Sequence, residues 1–215
     1  MSINFGNVRT EWTGSDPDIP VVQQRKVNGI EVLENPKTTH YLRWKKWVLS
    51  NTFPWHCYKK QQPDSFHKTD PDSKTRFYHP KMNVNKMGHA QTFIHPLLGR
   101  PNDDEPFPQP LASFPDGLRV VKEIFQHNNI RINCLYRMAV NMVPPDPNVE
   151  TTFIHVDHGY PHLNMLVYLT SAGGETILEN DYHDPKEDDI IIFEGYHTHN
   201  VPKKDNRIIL VTTFF

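Results

Sequence analysis

The sequence predicts a mainly β fold with flanking helices, closed as a sandwich or barrel of the jelly-roll kind, and three observations carry that prediction. From Ile132 onward, short strand-like segments follow one another, joined by turns of Gly, Pro, Asp and Asn. Two stretches with helical spacing lie in the first 131 residues. The length, 215 residues, suffices for one sizeable core with appended elements and does not require a second fold. Residues 1–131 are therefore expected to pack as helices, loops and edge strands on a core formed by residues 132–215.

Taken in order, residues 1–37 alternate only weakly, and Ile30, Val32 and Leu33, bounded by Pro20 and Pro36, are the best candidates for an edge strand on the later sheet. Thr38 and Thr39 can cap a helix running to about Leu49, with Tyr41, Trp44 and Val48 on one face and Trp47 beside them. An aromatic stripe at this spacing reads as core rather than as a ligand site. Residues 59–89 are polar, with isolated Phe66, Phe77 and Tyr78, and read as a solvated loop. The competing reading is a lid over a site, because a loop of this length inside a compact chain is more often functional than idle. Five prolines and a run of acidic residues make 101–115 an extended connector. Leu118, Val121 and Phe125 then recur at helical spacing until Asn128 and Asn129, which predicts a helix on the outer face of the barrel. The strands expected after it are Ile132–Val143, Thr151–Val156, His162–Thr170, Glu175–Glu179, Asp189–Phe193, His199–Pro202 and Arg207–Phe214.

Composition narrows the partners. A formal net charge of −2 argues against a general nucleic-acid coat or an anionic membrane surface. The basic and aromatic residues of 59–89 are too diffuse to favour a nucleic-acid strand, so nucleic acid is an unlikely partner. Cys57 and Cys134 are too few for a disulfide framework and show no CxxC spacing, which suits a reducing compartment. There is no apolar run of signal-peptide or membrane-spanning length, so the expectation is a cytoplasmic protein with no membrane partner. Nothing indicates an oligomeric state. No phosphate loop, GxGxxG, GxSxG or HExxH occurs.

The chemistry concentrates between His155 and Phe215. Alternate residues of a strand point to the same face, so His155 and Asp157 can reach one point in space. An imidazole from the 197–199 segment would complete two histidines and one carboxylate around a metal, leaving positions open of the kind that iron(II) sites use for a co-substrate and dioxygen. Arg207 opens an otherwise almost wholly apolar strand. Its guanidinium is a rigid fork suited to a carboxylate, and a charge heading a core strand needs a partner or water.

In this order, His155-x-Asp157, a distal histidine and Arg207 resemble the double-stranded β-helix (jelly-roll, cupin-like) core of the Fe(II)- and 2-oxoglutarate-dependent dioxygenases, prolyl 4-hydroxylase-like branch. The resemblance covers about two-fifths of the chain, residues 132–215. It implies Fe(II) held by His155, Asp157 and His199, the last taken as the distal ligand from its place after Phe193 and before Asn200-Val201. It also implies 2-oxoglutarate gripped by Arg207 with Tyr168 and, less directly, Asn141, while Gly173-Gly174-Glu175-Thr176 resembles the family's GGET turn. Two departures stand out: Ile209 replaces the usual serine or threonine two residues after the arginine, and the glycine before the arginine is missing. The family activity implied is O2-dependent hydroxylation of a C–H bond, coupled to conversion of 2-oxoglutarate to succinate and CO2. The substrate is open: a prolyl or other side chain of a peptide, a free amino acid, a modified nucleobase or a small metabolite. His197 shares the strand parity of His199 and reads as a nearby polar group or substrate contact, and His158 and His162 as mouth or loop residues. Two rivals are a non-oxygenase cupin using His197 and His199 together, which usually has a glutamate where this chain has Asn-Val-Pro-Lys, and an inactive jelly-roll binding or structural protein.

Overall fold

A computed structural model describes residues 26–58, 75–101 and 107–215. The elements run in chain order β1 (Glu31–Leu33), α1 (Thr39–Val48), β2 (His56–Tyr58), β3 (Met87–Gly88), β4 (Thr92–Leu98), α2 (Phe114–His127), β5 (Leu135–Val143), β6 (Thr151–Thr152), β7 (Leu163–Tyr168), β8 (Thr176–Ile177), β9 (Tyr182–His183), β10 (Ile190–Glu194), β11 (Thr198–His199) and β12 (Arg207–Phe214). Seven strands form one sheet in the order β1-β10-β7-β12-β5-β4-β2, and β11-β8-β9 form a smaller one. Strands from both halves of the chain thus share the large sheet, with β1 at its edge against β10 as the sequence suggests. The architecture is mainly β.

The two faces of the large sheet are distinguishable only by tracing alternate residues, because nearly every position is buried. Met138, Val140, Leu163, Met165, Val167, Ile190, Ile192, Leu210 and Phe214 share one cluster with Tyr41, Trp44 and Val48 of α1 and Val120, Val121, Ile124 and Phe125 of α2. Leu166, Tyr168, Ile191, Phe193, Ile209 and Val211 form the other, toward the small sheet. Each fully buried large apolar side chain contributes about 1.5–3 kcal/mol, so the helix-covered face supplies most of the cohesion. The opposite face is left to carry polar groups.

Local chemistry explains the helices. The Thr38 hydroxyl accepts from the Tyr41 N–H at 3.1 Å, capping α1 as expected. Among the buried residues of α1 is Lys45, whose ammonium meets Glu187 at 2.6 Å and also Asp188. The second helix begins at Phe114, four residues ahead of the expected Leu118, because Pro115 is acceptable in a first turn and Asp116 complements the helix dipole there.

Two expectations change. The expected strand Thr151–Val156 is reduced to β6, with single bridges from Thr151 to Asn200 and from His155 to His197. Side chains replace the ladder between them: the Thr198 hydroxyl donates to the Thr152 carbonyl, and the His199 N–H donates to the Thr152 hydroxyl at 3.0 Å. Second, residues 75–89 are not a wholly solvated loop. Phe77 and Met82 are buried against Ile154 and against Ile177 of β8, and Val84–Lys86 form a 3-10 turn. The remainder of that segment, 59–74, lies outside the described residues, as do 1–25 and the acidic run within 102–106. No helix among the described residues is long and apolar enough to cross a membrane.

Candidate metal centre

Three imidazoles converge between the sheets. The ligand atoms of His155, His197 and His199 all lie within 4.8 Å of one another. His155 and His197 face each other directly, because their backbones exchange two hydrogen bonds of 2.9 Å. That pairing brings their rings to 4.3 Å between centroids, closer than the 5.8 Å between His155 and His199. The Nδ1 of His155 donates to the Phe153 carbonyl at 2.9 Å and that of His197 to the Gly195 carbonyl at 3.1 Å. A carbonyl only accepts, so both rings carry a proton on Nδ1, which makes Nε2 the nitrogen that would ligate a metal. The Nδ1 of His199 meets the Thr176 hydroxyl at 2.9 Å, a partner that can donate or accept and leaves its tautomer open.

Asp157 stands beside this group, with Oδ2 3.7 Å from His197 Nε2. Its Oδ1 accepts from Arg137 Nη1 at 3.0 Å and Arg100 Nη2 at 3.4 Å. Burial alone would raise the Asp157 pKa, but Arg137, then His197, His155 and Arg100, outweigh it and hold the carboxyl well below the usual carboxylate range. Burial, reinforced by His197, lowers the His155 pKa to about 4. Burial, then Arg207 and the other two imidazoles, lowers that of His199 well below 6.5. Neutral imidazoles and an ionised carboxylate are the forms that bind a cation without first losing a proton.

A chain of hydroxyls leads away from the metal side. Thr176 Oγ1 lies between His199 Nδ1 and the Tyr168 hydroxyl, 2.6 Å from the latter. Burial raises the Tyr168 pKa to about 12, so this hydroxyl stays protonated and can donate. At the far end the buried Arg207 donates through Nη1 to the Gly174 and Asn200 carbonyls at 2.8 and 3.0 Å. Burial lowers its pKa, with Tyr168 and Glu175 acting in the opposite sense. Its Nε, the Oδ1 of Asn141 and both amide atoms of Asn164 are buried with no hydrogen-bond partner among the described residues. Such orphaned groups are uncommon in a finished core.

Of the residues singled out in the sequence, His155, Asp157, His197, His199, Tyr168, Arg207 and Asn141 therefore come to one interior, Asn141 lying opposite Ile209 in register with Tyr168. His158 and His162 are buried too: His158 Nε2 is 2.7 Å from the Thr213 hydroxyl, and His162 Nδ1 is 2.8 Å from the Tyr160 carbonyl. Sequence reasoning missed Arg100, Arg137 and Asn164. Arg137 shares its face with Asn141 and Asn164 with Tyr168, but in strands so fully buried parity alone does not mark the polar face.

No family model matches the sequence, and no curated protein matches it. Solved structures do. The non-heme alpha-ketoglutarate-dependent epimerase SnoN from nogalamycin biosynthesis superposes with a TM-score of 0.50 at 10% identity, over 87% of this chain and 78% of that one. A 2OG-Fe(II) oxygenase family oxidoreductase from Burkholderia pseudomallei gives 0.46 at 15% identity, over 66% and 74%. A prolyl-4-hydroxylase from Pseudomonas putida gives 0.36 at 15%, over 58% and 71%. At these identities the likeness is one of fold: the chain has the jelly-roll fold found in 2-oxoglutarate-dependent non-haem iron enzymes.

Proposed function

We propose that this protein is an Fe(II)- and 2-oxoglutarate-dependent dioxygenase that hydroxylates a C–H bond of its substrate, a prolyl or other amino-acid side chain being the leading class. The observation that carries the reading is the pairing of two sites in one interior. Two imidazoles bonded through Nδ1 to backbone carbonyls stand beside an ionised aspartate at one end, and a buried guanidinium whose Nε lacks a hydrogen-bond partner among the described residues stands at the other.

His155, Asp157 and His197 are the resident metal ligands on this reading. The spacing of the distal motif points to His199, but the direct pairing of His197 with His155, its carbonyl-bonded Nδ1 and its approach to Asp157 favour His197. His199 then faces the co-substrate, together with Thr176 and Tyr168. The donor set, two neutral nitrogens and one carboxylate oxygen, suits Fe(II) and leaves positions open. Iron would supply the oxygen chemistry, with 2-oxoglutarate as two-electron reductant of O2, yielding succinate and CO2.

The protein's own part is binding and orientation. Arg207 pairs with the distal carboxylate of 2-oxoglutarate, Tyr168 donates its retained proton beside it, and the Asn141 and Asn164 amides satisfy polar atoms of the occupant. Ile209 takes the place of the extra hydroxyl usual in relatives, so Tyr168 and Thr176 carry that share of the contact. Apolar Leu166, Ile191 and Val211 exclude water from the face between the two ends.

The test is turnover of 2-oxoglutarate labelled at C1 by the Fe(II)-loaded protein, screened across peptide, amino-acid and small-metabolite substrates. Oxygen-dependent release of labelled CO2 with equal succinate, lost in His155→Ala and Asp157→Ala, is expected. Absence of 2-oxoglutarate binding and turnover in the iron-loaded protein would overturn the reading. A second reading, a three-imidazole centre of His155, His197 and His199, is favoured by their mutual approach within 4.8 Å. It predicts that Asp157→Ala keeps its metal.

A further inference from the structure

We propose that Arg137, with Arg100 as a weaker second, is a positioning residue that reserves one oxygen of Asp157 for the protein and presents the other, Oδ2, alone to the metal. The inference rests on the reading of Asp157 as a metal ligand.

Arg137 lies on β5 in register with Thr213, and its strand parity matches that of Asn141, so it enters the interior from the large sheet. Asp157 comes from the irregular stretch after His155, outside any strand. An aspartate so placed has no ladder to hold its side chain. The hydrogen bond from Arg137 Nη1 to Oδ1, at 3.0 Å, supplies that hold, and Arg100 Nη2 approaches the same oxygen at 3.4 Å. Both partners of the main contact are sheltered, at 14% and 10% side-chain exposure, so the pair is screened far less than a surface ion pair. Both guanidinium contacts fall on Oδ1, whereas Oδ2 is the oxygen turned to His197 Nε2.

The consequence concerns coordination number. A carboxylate with two free oxygens can grip a cation with both and fill two positions. With Oδ1 occupied by guanidinium donors, Asp157 fills one position and leaves the other open. Arg137 thereby keeps a site on the metal available, and ties the ligand from the loop to the rigid sheet. Outer partners of metal ligands act in this way generally, by fixing the ligand's orientation.

The test uses Mn(II) bound to the full chain, with exchangeable water on the metal counted by water-proton relaxation. Affinity alone does not decide, because a guanidinium also repels the cation. Arg137→Met is expected to hold about one water fewer than the wild type, as Asp157 closes on the metal with both oxygens, and Arg137→Lys to keep the wild-type count. A folded Arg137→Met with the wild-type water count overturns the proposal. Should Arg137→Met fail to fold, Arg137→Ala carries the test: a count about one lower than wild type supports the clamp, and the wild-type count overturns it. Asp157→Ala is the control, expected to lose at least tenfold in Mn(II) affinity. If it binds Mn(II) as the wild type does, the ligand assignment of Asp157 falls instead.

Discussion

Arg207→Met separates a residue that holds the fold together from one that holds a ligand. In the unliganded protein the guanidinium is fully enclosed, with two carbonyl acceptors on Nη1 and an Nε that has no hydrogen-bond partner among the described residues. Replacing it removes the cost of burying a charge but orphans two carbonyls, at about 1–3 kcal/mol each. These effects oppose one another, so the metal-loaded, ligand-free protein should melt within a few degrees of wild type. The liganded state differs. A ligand at one hundred times its Kd stabilises by about 2.7 kcal/mol, which for a chain of this size is a rise of about 5–10 °C in Tm. Two charge-assisted hydrogen bonds to a carboxylate contribute about 3 kcal/mol or more, so their loss raises Kd by about a hundredfold. At the same concentration the variant then gains only about 0.4 kcal/mol, or roughly 1 °C. Differential scanning calorimetry of the Mn(II)-loaded proteins with and without 2-oxoglutarate measures all four midpoints. An Arg207→Met variant that keeps the full 2-oxoglutarate shift would show that Arg207 does not hold the co-substrate.

Two further outcomes follow from particular residues. Gly174 has φ +87°, and an added Cβ would lie 2.7 Å from the Asn200 carbonyl and 3.0 Å from Arg207 Nη1, whereas Gly173, at φ +74°, has open space around it. Gly173→Ala should therefore cost about 1–2 kcal/mol in urea unfolding, from backbone strain alone. Gly174→Ala should cost more and also reduce the 2-oxoglutarate-induced Tm shift; equal effects of the two would contradict the role given to the turn. The pH dependence has a definite sign. Burial lowers His155 to about 4 and His158 to about 3, while in the unfolded chain both take up a proton near pH 6.5. Between these values the unfolded state binds more protons, so metal-free stability is fully present above pH 6.5 and falls as pH drops toward 4. Each histidine contributes at most about 1.4 kcal/mol per pH unit. Urea midpoints that stay flat from pH 7 to 4 would contradict this.

Much of the site was legible because its chemistry is local. His155 and Asp157 are two residues apart, Arg207 is a lone charge at the head of an apolar strand, and Tyr168 stands where the resembled family often carries a co-substrate tyrosine. Arg137 and Asn164 were not legible, because β7 and β12 are buried on both faces and β5 nearly so. Their sequences do not alternate cleanly, and period-two reasoning cannot say which face is polar. The choice between His197 and His199 has the same origin. Both have one parity, and what separates them is which lies across from His155, a pairing over forty-two residues that no local pattern encodes. The shortened strand at Thr151 was hidden because hydroxyls of Thr152 and Thr198 take over ladder bonds, a substitution that strand propensity does not register.

The most direct measurement is an anaerobic titration of Fe(II) and 2-oxoglutarate into the wild type, His197→Ala and His199→Ala, followed by the visible charge-transfer absorption of the chelated co-substrate. The band is expected in the wild type, with its loss together with Fe(II) binding in His197→Ala, and with Fe(II) binding retained in His199→Ala. A wild-type protein that binds Fe(II) but develops no band with 2-oxoglutarate would contradict the proposed activity, and loss of iron from His199→Ala but not His197→Ala would contradict the ligand assignment.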